Sequence, residues 1–364
     1  MPDARLSSLL LIEVAEATWS DALGALLGSF RPAGILFRSL TSPEATLEAC
    51  RQSARVPGML PLMATEQEGD GALAPLFAAL PRALTLDANG AKEAGALIGR
   101  AMKLLGLNLN MAPTLDIEPT PATGPATEAR RDVGAMRIAP AEIAQRAEAF
   151  ADGLRSHHIL SCGRHFPGLP SKRTTAKKET NAIVVDRSLA ALWREELVPY
   201  RVLGEKLAAI EISHAVHRAY DYEFLRPASL SPGVIEGLLR TKLGYQGIVV
   251  ADASLAAGAA AIELDEAVVR ALAAGCDLVM VPGERRLLER VCGTLARAVD
   301  SGRLPGGRVF QAQARVKAAQ GRVRRPPRQL VAPEYSRVAR EFEDFARRCG
   351  REGNDEAHHQ RAAR

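Results

Sequence analysis

The sequence predicts an α/β protein, a (β/α)8 barrel of the TIM type followed by a C-terminal amphipathic helix and a disordered basic tail. Three observations carry this expectation. Eight short apolar runs recur, at residues 9–14, 34–37, 60–64, 107–111, 159–163, 208–212, 247–251 and 276–281. Stretches with apolar residues at helical spacing separate them, and the whole alternation fills roughly 300 residues, a normal size for such a barrel. An open doubly wound sheet would show a similar alternation, but no glycine-rich phosphate fingerprint follows the first run.

The strands are read from runs such as Gly34-Ile35-Leu36-Phe37 and Gly247-Ile248-Val249-Val250-Ala251. Short, apolar, β-branched segments of this kind suit parallel strands buried on both faces. Between them, Ile143, Ala147, Phe150 and Leu154 fall on one helical face. Leu189, Leu192, Trp193, Leu197 and Tyr200 do the same after a start signal at Asp186-Arg187-Ser188. Ser231-Pro232 is another start, with serine to cap and proline in the first turn. Pro326-Pro327 breaks the chain, and Tyr335, Val338, Phe342 and Phe345 then return at helical spacing. The expected organisation is a barrel over 1–323, a linker and helix over 324–349, and a polar, disordered tail over 350–364. There is no internal repeat of fixed period.

A hydrophobic fraction of 47% and a charged fraction of 24% describe a chain with ample core material. The apolar run at residues 9–12 is too short for a membrane span or a signal-peptide core, so the reading is cytoplasmic, with no membrane partner. Five cysteines, odd in number and without C-x-x-C spacing, read as thiols in a reducing compartment, neither a disulfide framework nor a metal site. The net charge of +5 owes much to the late arginines, in Arg322-Val323-Arg324-Arg325-Pro326-Pro327-Arg328 and the tail. No aromatic residues interleave there to stack on bases, so the run reads as a solvated linker, with no nucleic-acid partner. Nothing calls for a cofactor.

In a parallel barrel the working residues follow the strands. The third run leads into Glu66-Gln67-Glu68-Gly69, the fourth into Ala112-Pro113-Thr114-Leu115-Asp116 and the fifth into Arg164-His165-Phe166-Pro167-Gly168. The sixth leads into Ser213-His214 and the seventh into Asp252. Carboxylates, histidines and an arginine on one rim suit a sugar or a similar polyol. Each residue also has a plain reading. Asp116 reads as a brace for its loop, Glu66 and Glu68 as a solvated turn, and His165 or His214 as hydrogen-bonded structural histidines. The histidines lack metal-ligand spacing, so no metal site is expected.

Several ordered motifs then resemble glycoside hydrolase family 3, in particular its compact single-barrel bacterial β-N-acetylhexosaminidases. They are Gly34-Ile35-Leu36-Phe37, Glu66-Gln67-Glu68-Gly69, Asn108 with Asn110-Met111-Ala112-Pro113-Thr114-Leu115-Asp116, and His165-Phe166-Pro167-Gly168. Arg226-Pro227-Ala228-Ser229-Leu230-Ser231-Pro232 follows, then Leu238-Leu239-Arg240, Gly244 through Asp252, and Ala274-Gly275-Cys276-Asp277. The resemblance covers about residues 34 to 323. It implies a retaining glycosidase in which a strand-end aspartate attacks the anomeric carbon and a second group handles the proton. Asp252 matches the nucleophile, and Glu66, Arg131, Arg164, His165 and His214 match sugar-binding positions.

The match is incomplete. Ala253 stands where the family commonly has a second aspartate, Glu66 replaces an aspartate, and Arg164 replaces a lysine. The loop after Gly168 carries no histidine or aspartate, although the family's acid/base dyad is an Asp-Ser-His there. Lys177 falls on a dyad position whichever end the count starts from, and Glu179 is the one carboxylate available as a replacement or as a solvated partner of its lysines. Two readings follow. One is a hydrolase of terminal β-linked N-acetylhexosamine on muropeptide-type substrates, or of another β-glycoside, with Asp252 and Glu179 as its catalytic carboxylates. The other is a degenerate member that binds an amino sugar as a sensor or partner protein. In both, the partner is a carbohydrate ligand, and the sequence leaves the oligomeric state open.

Overall fold

A computed structural model describes residues 3–57, 61–117, 138–169, 182–221 and 225–362, with side chains as far as residue 350. Eight parallel strands close into a barrel. They are β1 (Leu10–Glu16), β2 (Gly34–Ser39), β3 (Leu62–Thr65), β4 (Leu109–Asn110), β5 (Leu160–Phe166), β7 (Ala209–Ile212), β9 (Ile248–Asp252) and β10 (Leu278–Pro282). Their order around the barrel is β1-β10-β9-β7-β5-β4-β3-β2. Each lies within or beside one of the eight apolar runs. Two further pieces, β6 (Val184–Val185) and β8 (Val216–His217), form a separate parallel ribbon. At two residues each they were too short to show a period in the sequence.

Alternation along the strands divides the apolar residues between two cores. Leu11, Leu36, Leu62, Ala64, Leu109, Cys162, Ala209, Ile248, Val250, Leu278 and Met280 fill the barrel interior. Their neighbours Leu10, Ile12, Ile35, Phe37, Met63, Ile210, Val249, Ala251 and Val279 pack outward against the helices. The helix Gly306–Gln320 contributes Val316 and Ala319 to the interior cluster, and Val323 joins them, closing the amino-terminal end of the barrel.

The helices start where the sequence said they would. Ser188 Oγ accepts from the Ala191 amide at 3.2 Å, and Ser231 Oγ accepts from the Val234 amide at 3.2 Å. The single helix expected after Ser188 is instead two, Leu189–Arg194 and Val198–Leu203. Glu195 departs from helical geometry, and Pro199, which has no amide hydrogen to bond back, sits in the first turn of the second. Helices Ala88–Leu104 and Pro140–Arg155 pack very closely, through Gly95 against Phe150 and Gly153 against Lys92. A Cβ at either glycine would meet a backbone oxygen at 2.2 or 2.3 Å.

After the proline break, helix Ala332–Ala362 docks Val338, Phe342 and Phe345 as buried residues. The Phe342 ring stacks on Phe77 at 4.7 Å, and the Tyr335 hydroxyl donates to the Leu76 carbonyl at 2.9 Å. The helix runs on through Gly350, where a disordered tail was expected. One interior glycine costs a helix only about 1 kcal/mol, and the residues beyond it include good helix formers.

One carboxylate ties the amino-terminal end together. Asp277 is fully buried just before β10 and takes Arg240 at 2.5 Å, Arg308 at 2.6 Å and Arg315 at 3.1 Å. It also accepts from the Val249 amide of β9 at 3.0 Å. Arg240 and Arg308 in turn donate to the carbonyls of Tyr245, Gly247, Leu272 and Gly275, so the cluster fastens two helices to two strands. Removing the carboxylate that all three contact leaves the three guanidinium groups without their shared counter-charge. Asp277→Ala is therefore expected to lose roughly 3–5 kcal/mol in urea unfolding, whereas a loss under about 1 kcal/mol would show that solvent or the carbonyls suffice.

Candidate active site

The two-residue period that fills the interior with apolar side chains changes character at the carboxyl ends of the strands. The next inward position after Leu11 is Glu13, after Leu36 it is Arg38, and after Ala64 it is Glu66. After Cys162 it is Arg164, after Ala209 it is Glu211, and after Val250 it is Asp252. On β10 the corresponding residue is Pro282, and beyond β4, two residues past Met111, it is Pro113. The barrel mouth is thus ringed by four carboxylates and two guanidinium groups. Of these, the sequence reasoning singled out Glu66, Arg164 and Asp252 and missed Glu13, Arg38 and Glu211. Counting two residues on from each inward apolar position would have found all three.

Contacts across the mouth join these groups. Arg38 Nη2 lies 2.8 Å from Glu13 and 3.9 Å from Asp252, and Nη1 lies 3.7 Å from Glu66. Glu66 is also paired with Arg164. Asp252 closes β9 and caps helix Ala253–Ala260, its Oδ1 accepting from the Leu255 amide at 3.0 Å. The helix amino terminus and the Arg38 guanidinium both suit a negative charge at this point. Partial burial acts to raise the pKa of Glu66, but the hydrogen bond and charge of Arg164, with Arg38 and His165 behind them, outweigh it and lower that pKa.

Glu68 does not lie in a solvated turn. It is buried and accepts from the Thr114 amide at 2.9 Å, linking the loops after β3 and β4. Burial dominates there and raises its pKa. Asp116 is a brace, and more. Its Oδ1 accepts from the amides of His165 at 3.2 Å and Leu169 at 2.8 Å, and its Oδ2 lies 2.8 Å from His165 Nδ1.

His165 reaches the mouth because the β5–β7 register is irregular between Arg164 and Phe166. Such a bulge lets two successive residues serve the same face. Its Nε2 lies 3.9 Å from Glu211 Oε1. Burial works against an imidazolium, but the Asp116 hydrogen bond and the charges of Asp116 and Glu211 prevail and raise its pKa. His214 stands near the same groups, and burial together with the charge of His165 lowers its pKa. Arg131, Lys177 and Glu179 lie outside the described residues. Among the described residues, no group of three or more His, Cys, Asp or Glu side chains is arranged to hold a metal ion.

A pattern for the N-terminal domain of glycosyl hydrolase family 3 matches residues 11–319, which is the barrel and its mouth. The chain belongs to glycoside hydrolase family 3. A β-hexosaminidase of Pseudomonas aeruginosa is 28% identical over 273 residues, covering 72% of this chain and 78% of its own. A family 3 β-N-acetylglucosaminidase from a Paenibacillus species is similar in structure, with a TM-score of 0.76 at 25% identity over 94% of this chain and 68% of the other. A fungal multi-domain β-N-acetylglucosaminidase shares the fold, with a TM-score of 0.80 at 20% identity. This chain covers 94% of its own length and spans 42% of that protein. A family 3 barrel of this kind is a glycoside hydrolase.

The Asp116–His165 pair gives a direct test of the mouth's electrostatics. With a raised folded pKa, the His165 imidazolium favours folding below about pH 6.5, and that contribution fades as pH climbs through the folded value. Asp116→Asn removes the main opposing charge. The His165 titration followed by NMR should then move to lower pH, and an unmoved midpoint would mean that Asp116 only holds the loop.

Proposed function

We propose that this glycoside hydrolase is a retaining β-N-acetylhexosaminidase that removes terminal β-linked N-acetylhexosamine, with muropeptide-type fragments as its substrates. The observation that carries the reading is Asp252, a carboxylate at the carboxyl end of β9 with side-chain exposure of 11%, facing Arg38 across the mouth. An Asp252 oxygen forms a bond to the anomeric carbon as the bond to the leaving oxygen breaks, and that oxygen takes a proton from an acid. Water then adds at the anomeric carbon, gives its proton to the conjugate base, and the ester to Asp252 breaks.

Glu66, Arg164, His165 and His214, with Arg131, hold the sugar by hydrogen bonds of both polarities. Glu179 is the group proposed for proton transfer, since the segment from Leu169 to Thr180 contains no other carboxylate and no histidine. We place the protein in the cytoplasm, a reading supported by four buried cysteine thiols, Cys50, Cys162, Cys276 and Cys292.

The same loop composition favours a second reading, a member that binds an amino sugar and turns it over poorly. Losing acid/base help typically costs about 10²–10⁴-fold in rate. An activated leaving group needs little protonation and so tests Asp252 by itself. Wild-type protein should hydrolyse 4-nitrophenyl N-acetyl-β-glucosaminide between pH 4 and 9, with Asp252→Asn slower by roughly 10⁴-fold or more. Equal background rates in both proteins would retire the hydrolase reading for this substrate and leave sugar binding as the function.

A further inference from the structure

Glu211 is the mouth carboxylate that neither the proposed chemistry nor the Arg38 ion pairs use. It lies on β7, in register with Arg164 of β5 and Val250 of β9, one strand away from Asp252. Its side chain is 6% exposed, and among the described residues its closest charged partner is His165, at 3.9 Å. No described donor comes within hydrogen-bond distance of its carboxyl group. Burial dominates its environment and raises its pKa, with His165 and Arg164 acting the other way.

A carboxyl group held like this works against the fold. Drawing a carboxyl group out of bulk water with no protein donor beside it costs free energy, and an unbranched apolar side chain would fill the same space without that penalty. The arrangement makes sense if a ligand completes it. His165 Nδ1 is already committed to Asp116, so Nε2 is the free donor and it faces Glu211 across the gap. An oxygen about 2.8 Å from both atoms would subtend an angle of about 90° between them, which suits a hydroxyl that accepts from one and donates to the other.

We propose that Glu211 is a specificity-determining residue, which together with His165 grips one hydroxyl of the sugar lying against Asp252. The hydroxyl donates to Glu211 Oε1 and accepts from His165 Nε2–H. This rests on the reading of the mouth as an amino-sugar site. A site built to bond a hydroxyl rejects the analogue that lacks it, because its own polar groups are then left unpaired. Glu211 therefore selects sugars by a hydroxyl at one ring position, while Asp252 acts at the anomeric carbon.

The test compares wild type, Glu211→Met and Glu211→Gln on 4-nitrophenyl N-acetyl-β-glucosaminide and its 3-, 4- and 6-deoxy analogues. In wild type, one deoxy position should lower kcat/KM by roughly 10²-fold or more. Glu211→Met should lose a similar factor on the parent sugar and nothing further at that position, while the other two positions keep their own losses. Glu211→Gln, which retains an acceptor, should recover part of the activity. Losses that simply add at all three positions would overturn the proposal, as would full activity of Glu211→Met on the parent.

The thermal unfolding midpoint of Glu211→Met should equal or exceed that of wild type, and a markedly lower one would assign Glu211 to the fold instead. Calorimetric binding of N-acetylglucosamine and its deoxy forms separates this inference from the hydrolase reading. Coupling seen in binding without turnover keeps Glu211 and removes the hydrolase. Turnover without coupling does the reverse, and neither binding nor turnover overturns both.

Discussion

The strict alternation of side chains in a closed parallel barrel is the constraint on which the rest of this protein depends. Every strand has both neighbours paired, so no strand can slip by one residue without turning its interior residues out into the helix layer. The interior is filled by Leu11, Leu36, Ala64, Cys162, Ala209 and Val250, and the next inward step on each of those strands is a charge. Apolar packing below therefore fixes the positions of Glu13, Arg38, Glu66, Arg164, Glu211 and Asp252 above. The site inherits its precision from the core. Where the chemistry needs two adjacent residues in the mouth, the strand breaks its own rule, and the irregularity in β5 brings His165 in beside Arg164.

The two ends of the barrel use charge in opposite ways. At the amino-terminal end, three arginines converge on Asp277 at 2.5 to 3.1 Å, and two of them, Arg240 and Arg308, also donate to backbone carbonyls, although one nitrogen of each stays buried without a partner among the described residues. At the carboxyl end, one guanidinium, Arg38, is shared among Glu13, Glu66 and Asp252 at distances from 2.8 to 3.9 Å, and Glu13 Oε1 is buried without a partner. Groups left short of partners in a fixed geometry are what a ligand rich in hydroxyls can satisfy. The first arrangement ties helices to strands, and the second rings the mouth where the proposed sugar would bind.

Much of this was legible in the sequence because a buried parallel strand announces itself by composition alone. All eight barrel strands lie in or beside apolar runs, and Glu66, the residue after Met63-Ala64-Thr65, and Asp252, directly after Val250-Ala251, stand out as carboxylates closing hydrophobic stretches. Glu13, Arg38 and Glu211 were overlooked for a physical reason. Glu13 and Glu211 sit between apolar residues, Ile12 and Val14 or Ile210 and Ile212, so each reads as an interruption of its run, and Arg38 follows Phe37 as a lone cation with no carboxylate beside it. Asp116 was read correctly as a brace, but its second partner, His165, is brought close only by tertiary structure. The split after Arg194 and the helix continuing past Gly350 turn on local preferences of about 1 kcal/mol, too small to read from pattern.

The division of labour between barrel and loop bears on how such a chain loses or keeps activity. Asp252, Glu66, Arg164 and His165 stand on strand ends whose placement the core dictates, whereas the family's proton-transfer dyad belongs to the segment after Gly168. The interior layers are built from residues outside that segment, so on the proposed reading proton transfer can be altered while the proposed nucleophile and sugar contacts stay where the barrel puts them. Binding then survives, and turnover comes to depend on how much protonation the leaving group needs. For an aryl oxide that need is small. For the alkoxide of a second sugar it is large, and the cost falls in the about 10²–10⁴-fold range. On the proposed reading, recognition would part from catalysis by substrate, because the proposed sugar contacts on the strand ends are positioned by the core.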